Sequence, residues 1–162
     1  MMDLWWDRAD RAVAMAIAPG RWLVLPISLL LFLQWPLRDL VQAYSIEAND
    51  LAQWLFALYV SLALTYATRE RAHLAADVVA YRFSDTARRR IGKAAALFCI
   101  LPWSLFVLVA GAPVVWRSVR QLEAFPETYS SGYFIIKVSA LLLALLVLAQ
   151  ALLDIARPSR AP

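Results

Sequence analysis

The sequence predicts an all-α integral membrane protein, a single domain over residues 1–162. It has four transmembrane helices, an N-terminal amphipathic helix lying on the membrane surface, and both termini cytoplasmic. Three observations predict this: the composition, four long charge-free runs, and a lopsided distribution of basic residues. An ordinary soluble domain is about 45–50% apolar and about 25% charged. This chain is 62% hydrophobic and 17% charged. It holds too few polar residues to cover its apolar ones with water-facing surface. That balance excludes a disordered chain and most soluble enzymes, and a lone cysteine, Cys99, excludes a disulfide scaffold. The net charge of +4 would suit nucleic acid or a membrane surface. The apolar runs decide for membrane lipid as partner and against nucleic acid.

Residues 1–20 come first as an interfacial helix. They mix Trp5, Trp6, Val13, Met15 and Ile17 with Asp3, Asp7, Arg8, Asp10 and Arg11. A signal peptide would show a cationic start and an uninterrupted apolar core. Indoles favour the membrane interface, so a surface helix ended by Pro19-Gly20 is preferred to a frayed tail.

A span needs about 20 mostly apolar residues. The four fall at about 22–41, 50–68, 94–116 and 134–155. Trp22–Leu37, Leu51–Thr68, Ala94–Trp116 and Val138–Leu153 carry no charge. Their apolar residues are continuous, whereas barrel strands alternate. A continuous apolar segment in lipid must satisfy its own backbone, so it is helical. Pro26, Pro102 and Pro113 lie inside spans, where neighbouring helices tolerate kinks. Ala94-Ala95-Ala96 and Ala110-Gly111-Ala112 are small enough to admit another helix closely. One such face is expected to pack within the bundle. Gln34, Gln53 and Gln150 are expected to bond neighbouring helices, and Cys99 to pack.

An even number of spans puts both termini on one side. That side, with the loop 69–93, holds 12 of the 16 Lys and Arg residues, including Arg88, Arg89 and Arg90. The positive-inside rule makes it cytoplasmic. Each basic residue near anionic lipid contributes about 1 kcal/mol of attraction, so the Arg88–Arg90 run serves both as topology signal and as anchor.

Chemistry is sparse. With one histidine, Cys–His zinc sites and bis-histidine haem ligation are excluded. Phosphate-binding glycine loops and a G-x-S-x-G elbow are absent. His73 and Asp77 stand four apart, on one helical face. A structural ion pair or cap is the preferred reading, and a surface acid–base pair the alternative. No acid lies near the middle of a span, where proton-coupled carriers place one. Lys137, one turn inside the last span, is expected to snorkel to the interface. Its alternative is an ion pair with Glu123, Glu127 or a partner subunit. No catalytic, cofactor-binding or metal-ligating residue is assigned, and the chain is not read as an enzyme. A bundle without its own machinery suggests a subunit whose partner carries the site.

Two stretches then resemble the small membrane subunit of tripartite ATP-independent periplasmic (TRAP) transporters. The first is Arg69-Glu70-Arg71-Ala72-His73-Leu74-Ala75-Ala76-Asp77. There Arg71, His73 and Asp77 match a basic residue, a His and an Asp after the second span. The second runs from Glu123 through Pro126 to Lys137, similar to the family's outer loop, where a Glu and a Pro precede a glycine turn and a Lys enters the last span. Ala76 stands where a branched residue is usual, and a Pro often found after the turn is missing. The resemblance covers nearly the whole chain.

It implies an accessory subunit without catalysis, in the bacterial inner membrane. Its implied partners are a large multi-span permease subunit and a periplasmic substrate-binding protein. Sodium coupling and the site for an organic acid, such as a dicarboxylate, would lie on the large subunit. The small chain would brace that subunit and enlarge the docking surface. The alternatives from other classes are a self-sufficient small oligomeric transporter and a membrane anchor or enzyme using His73.

Overall fold

The structure is a computed structural model that describes residues 2–40, 45–69 and 83–156. Six α-helices account for most of them: α1 (Met2–Ile17), α2 (Val24–Leu40), α3 (Ile46–Arg69), α4 (Asp85–Ala95), α5 (Leu101–Arg120) and α6 (Tyr133–Ala156). A 3-10 segment, Ala18–Leu23, joins α1 to α2, and a π-helical turn, Ala96–Ile100, joins α4 to α5. Four continuous helical runs are long and apolar enough to cross a membrane: Arg8–Leu40, Ile46–Thr68, Thr86–Arg120 and Tyr133–Ala156.

Local chemistry sets several helix ends. The Ser45 hydroxyl accepts from the Ala48 N–H at 3.1 Å and caps α3. Ser84 caps α4 by accepting from the Ala87 N–H. Such caps satisfy donors that a first turn leaves without partners. Lys93 Nζ donates to the Ile155 carbonyl at 3.3 Å, placing a cation on the last turn of α6, where carbonyls and helix dipole favour positive charge.

Two junctions differ from the simple reading of the sequence. Pro19-Gly20 does not stop the chain in a loop. The backbone tightens into the 3-10 segment and enters α2 directly. Gly20 is the reason for the close passage: a Cβ there would stand 2.6 Å from Leu62 Cβ. The π-turn precedes Pro102, which has no N–H to offer an α-helical ladder. The Leu101 N–H reaches instead to the Ala96 carbonyl, five residues back. Cys99, expected to pack, is exposed on this turn, whereas Ala96 is buried.

α6 is the central post. It packs against α3, α5, the π-turn and α1, and buries Ser139, Ala144, Leu146, Gln150, Ala151 and Leu153. α3 and α6 run parallel, with Ser61 Oγ donating to the Ser139 carbonyl at 2.7 Å. Gly111 of α5 lies against Leu141 of α6, so this small-residue face packs within the bundle. On α1 the more covered positions are Asp10, Val13, Ala14 and Ile17, one helical face, while Arg8, Arg11 and Met15 are exposed. That face packs on α3 and α6.

Gln150, expected to bond a neighbouring helix, bonds its own helix instead. Its Nε2 donates at 3.2 Å to Asp154 Oδ1, and Gln150 Oε1 and Gln34 Nε2 are buried without a partner. A residue four positions on is always within reach of a glutamine, whereas a bond to another helix needs a matching group at the same height.

Candidate functional site

The 121–132 loop carries the richest polar geometry in the described residues. It begins with the end of α5. The Glu123 N–H donates to the Ser118 carbonyl at 3.0 Å and the Leu122 N–H to the Val119 carbonyl at 3.1 Å. This pair of bonds is a Schellman motif, which puts one residue in the left-handed region and normally gives that place to glycine. Here it is Leu122, with φ 46°. The chain then folds back on itself. Ala124 bridges Ser131, and the Phe125 N–H donates to the Ser130 carbonyl at 2.9 Å. Pro126 starts the tip, where no N–H is required. The tip closes with the Tyr129 N–H on the Phe125 carbonyl at 2.9 Å. Tyr129 is the second non-glycine residue with positive φ, at 56°. Gly132, with φ 152°, ends the turn where a Cβ would stand 3.4 Å from the Phe125 ring.

Three loop side chains, Glu123, Phe125 and Thr128, pin this loop to the helices. Lys137 Nζ meets Glu123 Oε2 at 2.5 Å, and the Ser118 hydroxyl donates to the same carboxylate oxygen. Lys137 also stands 5.2 Å from the Tyr133 ring centroid, a cation–π distance. Phe125 is buried and meets Tyr133 edge-on, centroids 5.5 Å apart. Thr128 Oγ1 donates to Asp50 Oδ2 at 2.5 Å, tying the tip to the first turns of α3. The Lys137 ammonium, and after it the Ser118 hydroxyl, hold the Glu123 carboxyl below its ordinary value of 4.5, because both bonds favour the charged form.

Of the residues singled out in the sequence, Glu123 and Pro126 lie in this loop, and Lys137, in the first turns of α6, pairs with Glu123. For Lys137 the structure shows the ion pair with Glu123 rather than a side chain snorkelling alone. Glu127 is exposed and makes no ion pair among the described residues. Arg71, His73 and Asp77 lie outside the described residues. Trp5 and Trp6 fall on α1 and Arg89 on α4, but their side chains are outside what is described. Arg88 and Arg90 are exposed on α4. Sequence reasoning missed Asp50, Ser118, Leu122, Thr128 and Tyr129. Only Asp50 had a signal, a carboxylate at the mouth of an apolar run.

The loop can hold a fixed shape and display side chains. Among the described residues, no three His, Cys, Asp or Glu side chains converge. What it displays is apolar and aromatic: Leu122 is 61% exposed and Tyr129 84%.

No curated protein and no solved structure matches the chain. The profile of one family does, over residues 27–158, a stretch that reaches into all four apolar runs and covers the pinned loop. This chain belongs to that family, the DctQ component of tripartite ATP-independent periplasmic transporters.

Proposed function

We propose that the chain is the accessory small permease subunit of a sodium-driven uptake transporter for an organic acid. It braces the large permease subunit in the bacterial inner membrane and offers a docking surface to a periplasmic substrate-binding protein. The termini, α1 and α4 face the cytoplasm, and the 121–132 loop faces the periplasm. Sodium and the organic acid bind on the large subunit.

The observation that carries the docking role is the strained, pinned loop. Two non-glycine residues are held at positive φ, Leu122 and Tyr129, and both expose large side chains. A non-glycine residue in the left-handed region costs roughly 1–2 kcal/mol. Such strain persists where the surrounding structure over-determines it, and it gathers at binding sites. The bonds to Glu123, Lys137, Ser118 and Asp50 supply that over-determination. The bracing role is supported by α6, a post buried among α3, α5 and α1, and by the exposed arginines of α4, which suit an anionic leaflet.

The test is uptake of a labelled carboxylate into proteoliposomes under an inward sodium gradient. The large subunit, the binding protein and this chain together give uptake. Leaving out this chain, or replacing sodium by potassium, abolishes it. Uptake by this chain alone overturns the reading.

A further inference from the structure

We infer that a groove between the N-terminal elements and α3 is a binding site for one anionic phospholipid, with the headgroup phosphate on Arg21 and an acyl chain laid along α3. The inference needs only that the chain sits in a bilayer and does not rest on the transport role.

The groove is an open cavity of about 570 Å³ between Ile17, Ala18 and Arg21 on one side and Tyr59, Leu62 and Tyr66 on the other. That volume falls among clefts that take small molecules, about 300–1,000 Å³. Its origin is local. Gly20 lets the backbone of the 3-10 segment touch Leu62, and the groove opens beside that contact, with Ala14 and Ile17 of α1 on its other wall. The small side chains of Ala18 and Ala63 keep the groove empty.

Its chemistry is split along its length. Tyr66 lies one turn from the end of α3 at Arg69, a depth that suits an aromatic ring with a polar tip. Tyr59 lies seven residues earlier, about 10 Å deeper at the rise of an α-helix. Between them the wall is Leu62 and Ala63. The groove therefore runs from interface depth into the hydrocarbon, the course of an acyl chain. Arg21 is the one cation among the described residues that line it, and no carboxylate is among them. Its guanidinium stands 5.8 Å from the Trp22 ring centroid and makes no ion pair within the described residues. Guanidinium matches phosphate in charge and in its forked donor geometry. A half-apolar groove with one such fork, opening to lipid, is complementary to a single anionic phospholipid.

The experiment is native mass spectrometry of the full chain, delipidated in detergent and titrated with phosphatidylglycerol or phosphatidylcholine of equal chain length. The wild type retains one phosphatidylglycerol about fivefold more tightly than phosphatidylcholine, the preference expected of one cation near an anionic headgroup. Arg21→Gln abolishes the preference, Arg21→Lys keeps most of it, and Arg38→Gln, an arginine at the other end of α2, leaves it unchanged. Ala63→Trp, which fills the groove, lowers retention of both lipids. Equal retention of the two lipids by the wild type overturns the inference. So does a preference that survives Arg21→Gln, or an equal loss in Arg38→Gln. Should Ala63→Trp fail to fold, the Arg21→Gln and Arg21→Lys pair decides alone.

Discussion

Asp50 and Thr128, 78 residues apart, share a hydrogen bond of 2.5 Å that locks the loop tip to the start of α3. The same offset of 78 recurs where Ser61 meets the Ser139 carbonyl. One register therefore holds α3 and α6 side by side from the loop down into the span. Asp50 is only 6% exposed, so removing its donor leaves a carboxylate oxygen without a partner in a covered place. Such a loss costs about 1–3 kcal/mol. Thr128→Val should therefore lower the thermal midpoint of the purified protein. The double variant with Asp50→Asn should lose less than the two single variants added together. Additive losses would show that the two side chains are not coupled.

The Glu123–Lys137 pair gives the loop a pH dependence of defined sign. Glu123 is more acidic in the folded protein than in the unfolded chain. Its contribution is therefore fully present above the unfolded value near 4.5 and is lost as pH falls through the lower folded value. Glu123→Gln should unfold earlier than wild type at neutral pH, and the two curves should converge in acid. Lys137→Met should also destabilise at neutral pH while leaving the Ser118 bond in place. Thermal unfolding in detergent across an acid-to-neutral series reads this, and a gap that widened in acid would contradict it.

The four spans were legible because lipid imposes one requirement, unbroken apolarity, that a sequence displays openly. The ends were less so. The third run reaches back to Thr86 because α4, with Arg88, Arg90 and Lys93, continues through the π-turn into α5. Charge marks where hydrocarbon ends, not where a helix ends. The ion pair was half legible: Lys137 had two glutamates within reach, and the Schellman turn at Leu122 chose Glu123 by bringing it back over Ser118. No pattern announces a leucine in a glycine's place, so the display of Leu122 and Tyr129 was invisible without coordinates. The loop-end bond of Asp50 depended on the parallel register of α3 and α6, a long-range fact that no local spacing encodes.

Gly20 is where the N-terminal elements meet the bundle. A Cβ there would come within 2.6 Å of Leu62 Cβ, closer than atoms of two packed side chains approach. Gly20→Ala must push the 3-10 segment off α3, and overpacking of this kind costs typically 1–3 kcal/mol. Leu62→Ala would not relieve it, since the clash is with Cβ itself, whereas Leu62→Gly would. The expected ranking of thermal midpoints is wild type, then Gly20→Ala with Leu62→Gly, then Gly20→Ala alone with its N-terminal segment most exposed to protease. A Gly20→Ala protein as stable and as protease-resistant as wild type would mean that α1 is not seated by this contact.

The loop's strain separates stability from binding. Leu122 and Tyr129 occupy backbone conformations that glycine adopts at no steric cost. Leu122→Gly completes the Schellman motif with its favoured residue and should stabilise the protein. The gain is on the order of 1 kcal/mol, the left-handed cost relieved less the entropy that glycine adds to the unfolded chain. Tyr129→Gly should behave alike, because a side chain 84% exposed loses little packing when removed. If the loop serves only as a tight connection, the stabilised variants transport as well as wild type. On the docking role they are more stable and yet need more binding protein to reach half-maximal uptake. Thermal midpoints and uptake against binding-protein concentration, measured on the same preparations, tell the two apart. Unchanged half-saturation in both variants would remove the loop from the docking surface.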